Sequence, residues 1–416
     1  MVFDRVKEEL SFIRGNLLVL LVTWSIFNFI FSMEFPYFSL YVRELGASPS
    51  LIGIIVAIGT LMHILVRIPG SYIADRYGRK QIITTMTFGV AFSYIFFVLA
   101  PDWRMILVGL IISNLCLIYL PAMEALEADS IPPNLRGVGF SLMRVIPSVL
   151  SIFSPIIAGY LVGRYGLVMG MRIVYTIIVA GALISALIRL LYLEETLDNP
   201  ERLTINGFIY SYRESLSSII DAWRRVPRNL KILTLIIMIT AVEDPIFMQY
   251  AALYARDIIM IPEDIWGYIF TLSILSALLF AWPAGKLVDV YGRKTALITG
   301  FLIGIPATYL FITSRGVVQL ALVLIIFAFM GTVLGPAFQA FITDETPKEF
   351  RGRVFGLIGL LNLVGNVPAS ILGGFLYEVS PPLPFYILLI LDSILVVMIY
   401  ILIKEPGNTA DLYKSH

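Results

Sequence analysis

The chain has 416 residues, 58% of them hydrophobic and 14% charged, with a mean hydropathy of +0.88 and a formal net charge of +1. Soluble domains carry roughly 45–50% apolar and about 25% charged residues, so this composition excludes an ordinary water-soluble protein. A near-neutral chain offers nothing to a nucleic acid, and one cysteine (Cys116) with histidines only at 63 and 416 leaves no disulfide, thiolate cluster or zinc motif. No cofactor and no metal are expected.

The first 14 residues hold Asp4, Glu8 and Glu9, too acidic for a cleaved signal peptide. They predict a short amphipathic helix with Val2, Phe3, Val6 and Leu10 on one face. Apolar runs follow at about 16–38, 51–73, 82–100, 104–127, 137–162 and 171–193, then at 231–254, 265–286, 295–313, 318–341, 353–377 and 383–403. Each is near the roughly 20 residues that cross a hydrocarbon layer of about 30 Å, which predicts an all-α protein of twelve membrane-spanning helices. Most connections are short. The segment 194–230 is longer and polar, and Phe208, Tyr212, Leu216, Ile219 and Trp223 recur there at helical spacing, as in a helix lying on the membrane surface. The domain plan is therefore a six-helix bundle over 1–193, a linker over 194–230, and a second six-helix bundle over 231–416.

Lys and Arg set the orientation. With the N-terminus in the cytoplasm, cytoplasmic segments hold 21 of the 30 cations, and the even number of spans returns the C-terminus to the same side. No Asn-x-Ser/Thr sequon occurs, which fits a prokaryotic cell membrane.

Two strings recur at nearly constant offset. Asp75–Lys80 (DRYGRK) returns as Asp289–Lys294 (DVYGRK), 214 residues later, between the second and third span of each half. Asp129, Pro132, Arg136 and Gly137 return as Asp344, Pro347, Arg351 and Gly352, 215 residues later, between the fourth and fifth. The halves are thus repeats of one plan, as in many transporters.

The pattern resembles the major facilitator superfamily over essentially the whole chain. That family's signature after its second helix reads G-x-L-A-D-R-x-G-R-K; here SYIADRYGRK at 71–80 departs at Ser71, and GKLVDVYGRK at 285–294 departs at Val290. The resemblance implies two pseudo-symmetric six-helix bundles and solute movement by alternating access. It also implies a cytoplasmic gate of Asp75, Arg79, Lys80, Asp129 and Arg136, with Asp289, Arg293, Asp344 and Arg351 as its counterpart. In the fifth span, SPIIAG at 154–159 is similar to the G-P-x-x-G-G of the antiporter branch, keeping Pro155 and Gly159. The basic residue that drug–proton antiporters place in the fourth helix is missing, since nothing between Met105 and Glu124 is charged.

Charges inside spans need a partner, water or a proton. Glu243 and Asp244, followed by Pro245, stand midway along the seventh span and are candidate proton carriers or cation ligands. Adjacent helix positions point about 100° apart, so one of the two is expected to face a cavity. Glu34 lies near the end of the first span, and in the family the first and seventh helices line the central cavity. Arg67 shares a face with His63, near the depth of Glu124, Glu127 and Arg144, of which Glu127 and Arg144 are expected to be structural. Asp392, midway along the last span, is expected to be paired structurally. Asn28, Phe247, Gln249, Tyr250, Asn362 and Asn366 are polar or aromatic candidates on the same helices, the two asparagines best read as interhelical hydrogen bonds.

The expected function is proton-coupled export of amphipathic or cationic small molecules by a monomer in the cell membrane, with substrate or protons at Glu34, Glu243, Asp244, Arg67, Glu124, Asn28 and Tyr250. Uptake symport of a metabolite is the alternative within transport. A non-transporting receptor or enzyme is the alternative outside it, and no nucleophile elbow, phosphate loop or metal set supports an enzyme.

Overall fold

The computed structural model describes residues 12–197, 212, 217, 223–224, 226–346 and 351–405, apart from the side chains of Ser71 and Asp75. The predicted N-terminal amphipathic face lies outside the described residues. So does most of the linker helix, of whose apolar stripe only Tyr212 and Trp223 are described.

Fifteen α-helices and no strand occur among the described residues. In the first half they are α1 (Asn16–Glu34), α2 (Phe38–Glu44), α3 (Pro49–Arg76), α4 (Arg79–Leu99), α5 (Trp103–Cys116), α6 (Leu120–Ser130), α7 (Arg136–Ser151), α8 (Ser154–Tyr165) and α9 (Leu167–Tyr192). The second half holds α10 (Arg228–Asp257), α11 (Glu263–Tyr291), α12 (Arg293–Ile312), α13 (Val317–Glu345), α14 (Arg351–Val379) and α15 (Leu383–Leu402).

Eleven spans among the described residues are long and apolar enough to cross a membrane. The twelfth, α10, has 30 residues but carries Glu243 and Asp244 in its middle, which lowers its hydropathy. Two spans predicted as single runs are broken. A 3₁₀ turn at Leu117–Tyr119 separates α5 from α6, where Pro121 lacks the N–H that would continue the ladder. Residues 152–153 separate α7 from α8, and Pro155 opens the latter. Gly78 at φ 82° and Gly292 at φ 86° make the tight reversals before α4 and α12, a backbone conformation that other residues adopt only with strain.

The chain forms two compact units. One comprises Met1–Tyr37 and Leu61–Leu216, the other Phe38–Thr60 and Ser217–His416, so α3 begins in the second unit and ends in the first. In the first unit α9 packs on α4 and α1, and α1 on α7. The second is centred on α10, α12, α13 and α15, where Leu233, Ile236, Leu297, Phe301, Phe341 and Leu395 form a buried core. Leu279, Trp282 and Val318 lie more than 70% exposed, the outward apolar surface that hydrocarbon covers.

Candidate functional site

The first unit contains a cavity of about 390 Å³ between α1, α4 and the broken span α5–α6. Its walls are aromatic (Trp24, Phe27, Phe31, Tyr94, Tyr119), with Asn28, Ser113 and Asn114 as the polar side chains. The interrupted span matters here, because Leu117, Tyr119 and Leu120 of the 3₁₀ break line the cavity. Asn28 donates to the carbonyl of Trp24 at 3.0 Å.

Glu34 stands behind this wall. Tyr94, which lines the cavity, donates its hydroxyl to Glu34 Oε2 at 2.9 Å, and Tyr175 reaches Oε1 at 3.5 Å. The Tyr94 ring is stacked on Phe97 at 4.6 Å and meets Phe31 edge-on at 5.2 Å, so the phenol that holds the carboxylate is itself fixed by packing.

On another side the same wall is backed by a cation near the end of α9. Arg189 is fully buried. Its guanidinium lies 5.0 Å from the Phe27 ring and 5.6 Å from the Tyr119 ring, and donates to Thr23 Oγ1 at 3.1 Å and Thr87 Oγ1 at 2.8 Å. It also reaches Met123 Sδ at 3.5 Å and the Tyr119 hydroxyl, and no carboxylate pairs with it among the described residues. Aromatic faces and hydroxyls replace a counter-ion.

The other predicted positions are dispersed. Arg67 is half-buried and makes no ion pair among the described residues; Glu124 is exposed. Arg144 acts electrostatically on Glu127. In the second unit Asp244 is exposed while Glu243, next to it, turns inward to Asp392. Tyr250 is fully buried, donating to the carbonyls of Ser370 (3.0 Å) and Pro49 (3.3 Å), and has no open face toward a cavity in this conformation. Gln249 donates to Ser370 Oγ at 2.9 Å, and Phe247 packs on Phe327 at 4.9 Å.

The repeated motifs fold into two matching clusters. In the first unit Arg79 pairs with Asp129 and also donates to the Ala74 carbonyl and Thr196 Oγ1. In the second, Arg293 Nε donates to Asp344 at 2.9 Å and Arg293 Nη1 lies 4.0 Å from Asp289. Arg136 is exposed and makes no ion pair among the described residues, and Arg351 donates to the carbonyls of Thr346 and Thr343 rather than to an acid. The Asp75 side chain lies outside the described residues. Lys80 enters through its backbone, whose N–H donates to Glu195.

Each cluster has a member absent from the motif. Glu195 accepts the backbone N–H groups of Arg79 and Lys80, and Glu405 those of Arg293 and Lys294. Just before them, Asn16 exchanges two bonds with the backbone of Glu194, and Asn229 two with the backbone of Lys404. A glutamate shortly after the last span of each half was the available signal.

Residues 38–60 are tied closely to the rest of the second unit. Glu378 Oε1 accepts from both the N–H (3.1 Å) and the hydroxyl (2.7 Å) of Ser50 at the start of α3. Arg256 binds Glu44 at 2.8 Å, Asp257 at 3.1 Å and Glu263 at 3.5 Å. Glycines let the backbones of α3 and α14 cross: a Cβ on Gly374 would lie 2.5 Å from the Pro49 carbonyl, and one on Gly53 would overlap that of Ser370.

Comparison with known proteins agrees with these features. The sequence matches the model of the Major Facilitator Superfamily over residues 17–259 and 233–414. It is 25% identical over 353 residues to the multidrug resistance protein MdtG of Salmonella arizonae, covering 82% of this chain and 84% of that one. It is 24% identical over 388 residues to a Na(+), Li(+), K(+)/H(+) antiporter of Planococcus maritimus, covering 86% and 88%. Among solved structures, the nucleoside transporter NupG superposes with a TM-score of 0.71 at 15% identity, covering 93% of this chain and 98% of that one, a likeness of fold. The broken spans, the duplicated motif clusters and the match along both halves lead to one assignment: this chain is a multi-pass membrane transporter belonging to the Major Facilitator Superfamily.

Proposed function

We propose that the protein exports amphipathic or cationic small molecules in exchange for protons, by alternating access, and that the cavity of the first unit receives the solute. The observation that carries this reading is the aromatic cavity with Glu34 one hydrogen bond behind Tyr94. Aromatic faces accept organic cations of varied shape, and a carboxylate behind them selects the sign of charge. The charge of Arg189 does not compete, because it is enclosed by Phe27, Tyr119 and two threonine hydroxyls. Resemblance to a multidrug resistance protein and to a cation/proton antiporter supports the same reading.

The protein sits in the cell membrane with both termini in the cytoplasm, as the distribution of Lys and Arg favours. It works as a monomer of two six-helix bundles joined by the linker. In that orientation the Arg79–Asp129 and Arg293–Asp344 clusters belong to the cytoplasmic gate, with Asp75, Lys80, Arg136, Asp289 and Arg351 around them. Contacts of this kind are remade at small cost and bias a two-state equilibrium.

The test is flux of a lipophilic cation such as ethidium into everted vesicles energised with an acid interior. Accumulation against the proton gradient, reduced in Glu34→Gln, is the expected result. Solute and proton moving in the same direction would replace exchange with uptake symport.

A further inference from the structure

Inside the second unit, two acids from different helices meet. Glu243 lies midway along α10 and Asp392 midway along α15, and their carboxyls lie close enough to act on one another. Asp392 is only 4% exposed. Asp392 Oδ1 and Glu243 Oε1 are sealed from solvent, and no N–H, hydroxyl or cationic donor among the described residues reaches either. Of the neighbouring helices, α12 presents Gly304 against Asp392 Oδ2, and Met330 of α13 lies beside the same glycine. Asp244, on the same helix as Glu243, is the other charged group that acts on it.

Two ionised carboxylates accept hydrogen bonds and cannot donate one. With no other donor in reach of these two oxygens among the described residues, the pair is satisfied by one proton, bound to one acid and accepted by the other. A second observation concerns how the pair comes apart. Pro245 lies two residues after Glu243 and has no N–H, so the carbonyl of Ala241 loses its helical donor. The side-chain amide of Asn366, on α14, supplies a substitute and reaches that carbonyl at 2.6 Å. The helix is thus weakest in the turn that carries Glu243, and a bend there would draw Glu243 away from Asp392.

We propose that Glu243 and Asp392 form a single proton-binding site, a carboxyl pair that holds one shared proton in this conformation and gives it up when α10 bends at Pro245. Its use as the coupling site for solute exchange rests on the export reading above, whereas the shared proton stands without it. The site is built wholly within the second unit, and the solute cavity wholly within the first.

The experiment is infrared difference spectroscopy of the purified, lipid-reconstituted protein during a pH titration. A band from a buried protonated carboxyl is expected in the wild type at pH values where exposed acids are ionised. Glu243→Gln and Asp392→Asn are each expected to remove it, because the new amide donates to the surviving carboxylate in place of the proton. A band that survives in either variant overturns the pair, and so does its displacement by Na⁺, K⁺ or Li⁺ at constant pH, which would make the site one for a metal cation. The wild type alone gives a second reading that needs no variant to fold. A hydrophobic carbodiimide, which adds to protonated carboxyls, is expected to modify Glu243 or Asp392 and to do so less as pH rises; modification confined to other acids overturns the proposal. Ethidium flux is read separately. Its absence with the band intact defeats the export reading and leaves the pair standing, and flux without the band does the reverse.

Discussion

Glu405 holds the first turn of α12 as Glu195 holds the first turn of α4, each accepting two successive backbone N–H groups, at 2.6 and 2.9 Å in one half and 3.1 and 3.0 Å in the other. The first N–H groups of a helix have no partner within it, and the helix dipole favours an anion at that end. Replacing either glutamate by alanine is expected to cost about 1 kcal/mol, the scale of a lost N-cap. The measurement is the melting temperature in detergent. An unchanged value in both variants would show that these contacts hold nothing.

The Arg79–Asp129 pair is partly open to solvent, with side-chain exposures of 11% and 49%. Its contribution to stability is therefore within about 1 kcal/mol. Its expected effect is on transport. Arg79→Asp should reduce flux several-fold by placing two acids side by side, and adding Asp129→Arg should restore much of it. A double variant no better than the single one would remove the pair from the gate.

Tyr94 and Glu34 are expected to act in opposite directions on binding. Tyr94→Phe keeps the ring on Phe97 but frees a carboxylate lone pair, so the apparent affinity for a lipophilic cation rises. Glu34→Gln removes the charge, and that affinity falls. A neutral solute of similar size should respond to neither change. Equal effects on charged and neutral solutes would show that Glu34 does not select charge.

Arg189 gives a prediction about packing. Its acceptors Thr23 and Thr87 also donate to the carbonyls of Leu20 and Ile83, so they keep a partner when the guanidinium is removed. Arg189→Met, of similar length and apolar, should therefore lie within about 1 kcal/mol of wild type. Arg189→Ala leaves a void and should cost about 2–5 kcal/mol. Thermal unfolding of the two variants side by side decides the matter, and a large loss in Arg189→Met would mean that the charge itself is required.

Much of the fold was legible because the bilayer imposes simple rules. Runs of about 20 apolar residues, basic connections and a motif repeated 214 residues apart are all local signals. Breaks inside the fourth and fifth spans were not read, although Pro121 and Pro155 mark them, because hydropathy does not register a missing N–H. The site was harder. Glu34 and Asn28 are visible as polar residues in an apolar run, but the tyrosines that hold Glu34 lie 60 and 141 positions away. Asp392 was expected to be paired, and its partner proved to be another acid. Tyr250, a polar side chain on α10, gives its hydroxyl to carbonyls of α3 and α14, partners that no local pattern announces.

The glutamate clasping α4 belongs to the tail of the first half, beyond its final span, and the one clasping α12 belongs to the tail of the second. Each bundle thus carries its own fastening as a short appendix. A polypeptide severed anywhere between residues 199 and 211 would yield two fragments that both retain their clasp, whereas a fragment ended at Tyr192 would leave the opening turn of α4 with bare N–H groups.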